Sequence, residues 1–422
     1  MSKQIIELPV ENLRIGLYVS RLDRPWEGTP FLFQGFEVES DEELTTLRSL
    51  CKHVSVEVTA DEADALNALQ KLPREAPVQE RVIDLLDQMS TRVGAFTSTV
   101  PTTDPASLKT ELTVATEAFT EATRAVKDAF ERLRKGGGFD ATQVGSVVDT
   151  MVDSIFRNRD AMCWLARMKT KDDYLYSHSL AAPIWALAFG RHLGLDKETL
   201  KIVGTGAMLL DVGKTQLSSD LLRKEGKPTP DEWKQLRGHV EAGVKLVSAN
   251  PSVDPRVVSM LQTHHERHDG SGYPRKLKGE EIPMIGRIAG IVDTYDAMIS
   301  ARSYARPKSA YDAVRALKTL GGVGFADDLV ELFIQAVGVF PTGTLVELNT
   351  GEVAVVVAQN RFRRLRPEIM LILDPAKAPL AEFTTIDLMT CPENSEASDP
   401  KLWITRGLEC GAHGIDPTEY FL

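Results

Sequence analysis

The sequence predicts a mainly α protein with a long helical block in mid-chain, a small α+β module before it and a small β-rich appendage after it. Three observations predict this. Between about Asp140 and Val339, apolar residues recur at helical spacing with only short breaks. The first seventy or so residues instead mix strand-like runs with one helical run. After Phe340-Pro341-Thr342-Gly343 the apolar period switches to two. A chain of 422 residues also exceeds a typical single domain, so it divides into several units. We expect an accessory α+β module over residues 1–75, a helical linker over 76–139, a helical domain over 140–340 and a β-rich appendage over 341–422.

In the first module, Ile5-Ile6-Glu7-Leu8, Leu17-Tyr18-Val19 and Val54-Ser55-Val56-Glu57-Val58 read as strands around a helix from Asp41 to Leu50. Leu72-Pro73-Arg74-Glu75-Ala76-Pro77 marks a boundary, and the Thr- and Pro-rich stretch Thr97 to Pro105 a loop. Asp104 is expected to cap the next helix, Pro105 to occupy its first position and Gly136-Gly137-Gly138 to end it. Its residues Leu108, Leu112, Ala115, Phe119, Ala122, Val126, Ala129 and Leu133 alternate four and three apart, the seam of a coiled coil or a helical hairpin. This seam packs either on the chain's own next helix or on a second copy, giving a homodimer through residues 106–135. Small alanines in the seam favour the first, because each buries little apolar area.

Breaks in the helical block are expected at Gly204, Gly213, Pro228, Pro251, Gly270 to Pro274, Pro283 and Gly321. Beyond it, Thr344-Leu345-Val346-Glu347-Leu348, an Asn349-Thr350-Gly351 turn and Glu352 to Val357 form a hairpin. Ile369 to Leu373 and Thr384 to Leu388 add strands. Arg361, Arg363, Arg364 and Arg366 read as a solvated strand end, with docking of a signalling partner as the alternative.

Composition excludes several functions. No apolar run approaches the roughly 20 residues of a membrane span, and the N-terminus has no apolar signal core, so a cytoplasmic location is expected. Cys51, Cys163, Cys391 and Cys410 are scattered, against both a disulfide framework and a zinc knuckle. A net charge of −11 argues against coating a nucleic-acid polymer. An anionic small ligand then needs local cations, which bound metal supplies.

The chemistry concentrates in the helical block. His178, Leu210-Asp211, His239, His264-His265 and Asp293 bring imidazoles and carboxylates without thiolate, a set suited to manganese, iron, zinc or nickel. Aspartate can bridge two ions through its two oxygens. Gly213 can turn the chain so that Lys214 faces whatever Asp211 coordinates. The run His264-His265-Glu266-Arg267-His268-Asp269-Gly270-Ser271-Gly272-Tyr273-Pro274 closes a helix with a glycine-rich loop, whose amides and aromatic ring suit a phosphate and a purine.

These residues resemble the HD-GYP family of metal-dependent phosphohydrolases from about Val152 to Pro341, and the HHExxDGxGYP motif is intact. The resemblance implies an HD-type helical bundle that hydrolyses cyclic di-GMP at a centre of divalent transition metal, iron or manganese foremost. It implies that His178, Asp211 and Asp293 hold one ion, and that Asp211, His239, His264 and His265 hold its neighbour. Lys214 would contact the scissile phosphate, Gly272, Tyr273 and Pro274 would shape the dinucleotide pocket, and Arg302 would meet guanine or phosphate.

The chain departs from the family pattern at three positions. Leu210 occupies the place of the name-giving histidine and offers no lone pair. Tyr174 stands where members with a third metal carry glutamate, so one or two ions are expected. Pro183 lies in the helix of His178 and cannot donate to the Ser179 carbonyl, which predicts a kink that displaces His178. Two functions follow from these departures: a phosphodiesterase weakened by Leu210, or a cyclic di-GMP receptor or scaffold without turnover. A third reading, in which these residues are merely structural, leaves costly buried polar groups unexplained.

Overall fold

A computed structural model describes residues 4–10, 13, 17–24, 36–38, 41–58, 104–167, 174–224, 226–300, 307–360, 365–390, 402–409 and 411–415. The chain forms two compact units, Met1–Met89 and Ser90–Leu422.

In the first unit, β1 (Gln4–Pro9), β2 (Tyr18–Leu22), β3 (Phe36–Glu37) and β4 (His53–Val58) form an antiparallel sheet in the order β1-β4-β2-β3. Alternation in β4 sends Val54 and Val56 inward. They join Leu8, Val19 and Leu47, the last from the helix Asp41–Leu50, in one core.

The second unit is dominated by helices. The helix Leu108–Arg134 is capped by Ser107, whose Oγ accepts from the Thr110 amide at 3.2 Å. The expected cap, Asp104, lies further back and instead receives Arg191 Nη1 at 2.8 Å, so an ion pair outcompetes the local turn. Leu112, Ala115, Ala122, Val126, Ala129 and Leu133 are buried within the chain, against the helices Ala141–Arg157, Arg159–Arg167 and Tyr174–His192. Six of the eight seam residues therefore pack on the chain's own helices, while Leu108 and Phe119 are half-buried. Glu111 pins the seam from inside, accepting from Ser154 Oγ at 2.7 Å and from Arg157 Nε and Nη2 at 2.7 and 2.9 Å.

The helix Lys197–Leu209 runs straight through Gly204, which does not break it. A Cβ at Gly204 would lie 2.7 Å from Val148 Cγ1 and 3.1 Å from Leu187 Cδ2, so this glycine serves the close approach of three helices. The helices Pro230–Arg237, His239–Ser248, Pro255–Thr263, Met284–Ile299, Ala310–Thr319 and Asp327–Val337 complete the bundle.

The last strands, β5 (Leu345–Leu348), β6 (Val353–Ala358), β7 (Glu368–Leu373), β8 (Thr385–Asp387) and β9 (Ile404–Gly407), form an antiparallel sheet ordered β8-β7-β6-β5-β9. Gly351 turns the β5–β6 hairpin at φ 98°. Trp164 of the helical bundle lies in the core of this sheet with Leu345, Val355 and Ile372. Arg361, Arg363, Arg364, Cys391 and Cys410 lie outside the described residues. No described helix is long and apolar enough to cross a membrane.

Candidate metal centre

Five segments of the bundle converge on one buried cluster. The helix Tyr174–His192 contributes His178, and Asp211 follows the end of the helix Lys197–Leu209. His239 opens the helix His239–Ser248, His264 ends the helix Pro255–Thr263 with His265 next in sequence, and Asp293 lies within Met284–Ile299. Gly213 lets the turn after Asp211 meet the helix His239–Ser248. A Cβ there would lie 1.9 Å from the His239 carbonyl oxygen and 2.5 Å from the Gly243 nitrogen, so two backbones touch where no larger residue has room.

Asp211 is placed between two sets of imidazoles. Its Oδ2 is 3.7 Å from His178 Nε2, and its Oδ1 is 3.5 Å from His239 Nε2. Asp293 Oδ1 lies 3.3 Å from His178 Nε2, and its Oδ2 lies 3.8 Å from His265 Nδ1. His239, His264 and His265 each offer a donor atom within 4.8 Å of the others. Pro183 stays inside its helix and does not displace His178, whose Nδ1 is 2.7 Å from Asp296 Oδ2. That buried contact, together with Asp293 and Asp211, holds the ring in the cluster.

The electrostatics suit a cation. Burial drives His264 down to about 4, and burial also lowers His239 and takes His265 well below the ordinary imidazole value. These three rings are therefore neutral lone-pair donors. Burial opposes the charged forms of Asp211 and Asp293, yet Lys214 beside Asp211 and His178 beside Asp293 hold both carboxyls well below their usual range. His178 is the exception: burial lowers it, but the contacts with Asp293 and Asp296 prevail and raise it to about 9.

The donor set fits a metal on a geometric test. His239 Nδ1 lies 2.7 Å from the Leu236 carbonyl and His264 Nδ1 lies 2.7 Å from the Leu261 carbonyl. An oxygen acceptor requires a proton on each Nδ1, so in the neutral rings each Nε2 carries a lone pair. Those two Nε2 atoms face each other at 3.4 Å. Two lone pairs at that separation repel unless a cation lies between or beside them.

The glycine-rich loop borders this cluster. Tyr273 N donates to the His265 carbonyl at 3.1 Å, and the tyrosine ring stacks on His265 with centroids 4.6 Å apart. Arg237 extends its guanidinium over the Tyr273 ring at 4.9 Å. A Cβ at Gly272 would lie 2.4 Å from the Arg267 nitrogen, which explains that glycine. Glu266 anchors the loop by accepting from the amides of Arg275 and Leu277 at 2.7 and 3.0 Å. Pro274 follows a cis peptide bond from Tyr273. Lys214 Nζ contacts Asp211 Oδ2 at 2.5 Å.

Of the residues singled out in sequence, the structure brings together His178, Asp211, Lys214, His239, His264, His265, Gly272, Tyr273 and Asp293. Arg302 lies outside the described residues, and of the Tyr174 side chain nothing is described. Leu210 is buried in helical conformation at the end of its helix. Sequence reasoning passed over Asp296, Arg237 and the anchoring role of Glu266. The spacing of Asp293 and Asp296, which puts two acids on one helical face, was the available signal for the first.

Comparison with known proteins gives three family matches: an HD domain over residues 164–327, a domain of unknown function (DUF3391) over 5–144, and a KOW domain associated with HD domains over 345–394. The chain is 31% identical over 385 residues to the cyclic di-GMP phosphodiesterase PA4108 of Pseudomonas aeruginosa, covering 89% of this chain and 87% of that one. It is 35% identical to a cyclic di-GMP phosphodiesterase of Thermotoga maritima over 34% of this chain and 39% of the relative. It is 36% identical to the 3'3'-cGAMP-specific phosphodiesterase 2 of Vibrio cholerae over 34% of this chain and 27% of the relative. Similarity of this degree along nearly the whole length of the Pseudomonas protein shows the family, and the chain belongs to the HD-GYP branch of the HD-domain proteins.

Proposed function

We propose that this protein is a metal-dependent phosphodiesterase that hydrolyses cyclic di-GMP, with its activity reduced by Leu210. The observation that carries the reading is the position of Asp211, whose two oxygens face His178 on one side and His239 on the other. A carboxylate so placed suits two neighbouring ions: one held with His178 and Asp293, the other with His239, His264 and His265. Iron or manganese fits the mixture of imidazole and carboxylate. Such ions, when bound, acidify a water and neutralise phosphoryl oxygens.

The remaining residues serve the substrate. Lys214 stands beside Asp211 and, once that carboxylate acts as a ligand, turns to a phosphate oxygen of the dinucleotide. Gly272, Tyr273 and Pro274 form the wall beside the cluster, and we assign Arg302 to a guanine or phosphate. The substrate is supported by the names of the Pseudomonas and Thermotoga relatives.

Leu210 favours a second reading, a cyclic di-GMP receptor without turnover, because the first ion is left with three protein donors. Metal analysis combined with a turnover assay separates the two. Stoichiometric transition metal and hydrolysis abolished by Asp211→Ala support the enzyme, whereas binding of cyclic di-GMP with no hydrolysis supports the receptor. Hydrolysis of 3'3'-cGAMP alone would reassign the substrate.

A further inference from the structure

We infer that Asp296 is a positioning residue that fixes His178 as an Nε2 donor, and that its fixed polarity depends on Trp185. This rests on the metal-centre reading above. Asp296 is fully buried on the helix Met284–Ile299, one turn beyond Asp293. Its Oδ2 lies 2.7 Å from His178 Nδ1, and its Oδ1 accepts from Trp185 Nε1 at 3.0 Å. Ser300 Oγ donates to the Asp296 carbonyl at 2.6 Å and lies 3.3 Å from Oδ2.

The chemistry of these groups leaves little freedom. An indole nitrogen can only donate, so Oδ1 must accept. An ionised carboxylate only accepts, so the His178 Nδ1 facing Oδ2 must carry its proton. When His178 serves as a ligand, its lone pair is then on Nε2, the atom 3.3 Å from Asp293 and 3.7 Å from Asp211. Trp185 is itself buried and held edge-on to Tyr295 with centroids 5.4 Å apart, which keeps its N–H on Asp296. The arrangement matters more here than with a full ligand set, because Leu210 offers the same ion nothing.

An amide in place of Asp296 exposes the logic. In Asp296→Asn, one of the two facing donors must meet the NH2 group. If the amide oxygen stays on Trp185, the NH2 group faces His178 and forces the proton onto Nε2, which blocks the ligand. If the amide turns round, its NH2 group collides with the indole N–H. Removing that N–H with Trp185→Phe lets the amide oxygen serve His178 again.

Zinc(II) titration against a chromophoric chelator, on the full chain, tests this, with melting temperature confirming that each variant is folded. The wild type is expected to bind in a tight and a weak phase. Asp296→Asn should weaken the weak phase about 10- to 100-fold, the range for loss of an outer partner of a metal-bound histidine, and leave the tight phase within about twofold. Trp185→Phe alone should stay near the wild type, and Asp296→Asn with Trp185→Phe should recover most of the loss. A general packing role predicts the opposite order, since the double variant removes more of the core. Asp296→Asn with wild-type binding, or a double variant no better than Asp296→Asn, overturns the inference while sparing the metal-centre reading. A wild type that takes up no zinc overturns both.

Discussion

Gly213→Ala tests how the junction between Asp211 and His239 is made. The added methyl would sit 1.9 Å from the His239 carbonyl oxygen and 2.5 Å from the Gly243 nitrogen, where ordinary contact begins at 3.4 Å. Both obstacles are backbone, so no rotamer relieves them, and the start of the helix His239–Ser248 must retreat by about 1.5 Å. Metal–donor distances tolerate about 0.2 Å, so the retreat takes His239 out of the donor set. A misplacement of about 1 Å can cost roughly 100-fold in rate, and overpacking costs about 1–3 kcal/mol of stability. Gly243→Ala is the control. Its Cβ would lie 3.3 Å from the Gly213 nitrogen and 3.5 Å from Val212 Cγ1, so a small adjustment suffices. Metal stoichiometry, melting temperature and cyclic di-GMP hydrolysis should all fall in the first variant and stay near wild type in the second. A Gly213→Ala protein with undiminished metal affinity and turnover refutes the claim that this contact sets the spacing.

Leu210→His adds an imidazole next to Asp211 and should raise metal occupancy toward two ions, with a gain in rate of about tenfold for each 1.4 kcal/mol of added transition-state stabilisation. Unchanged metal content and turnover with a lower melting temperature would mean that the pocket has repacked around leucine. Glu266→Ala frees the amides of Arg275 and Leu277. It should raise KM for the dinucleotide and lower stability by about 1–3 kcal/mol, with metal content preserved; a variant that loses metal but keeps KM contradicts the anchoring role. In the C-terminal sheet, Glu347 is lowered below its ordinary value chiefly by its contact with Lys377, joined by Arg406. A carboxyl lowered on folding stabilises above its unfolded value and loses that contribution as pH falls through the folded one. Glu347→Gln should therefore flatten the acid limb of the unfolding profile, and an unchanged limb would show that solvent screens the contact.

Much of the architecture was legible because it depends on short-range patterns. Helical periodicity marked the bundle, the switch to period two marked the last sheet, and the HHExxDGxGYP run marked the loop beside the histidines. What the sequence hid depends on distant partners. Asp104 had the form of a cap, but Arg191 lies far along the chain and claims it. Gly204 had the form of a helix break, yet it sits where Val148 and Leu187 crowd the same spot. Pro183 suggested displacement of His178, but contacts with Asp293 and Asp296 decide where the ring points. The heptad seam left its partner open because periodicity describes a face and not what covers it.

The convergence of five segments on one cluster also bears on how the bundle keeps its fold. His178 and Asp296 are separated by 118 positions in sequence yet touch, so the cluster closes a long stretch of chain. A ligand that joins such distant points adds stability as the logarithm of its free concentration over its dissociation constant, about 2.7 kcal/mol at a hundredfold excess. The histidines and carboxylates of the cluster all lie in the second unit, while Met1–Met89 carries its own core. On the metal-centre reading, the supply of metal therefore sets part of the folding equilibrium of the bundle that holds the cluster. Metal starvation would thus reduce the amount of folded bundle as well as the activity of each molecule.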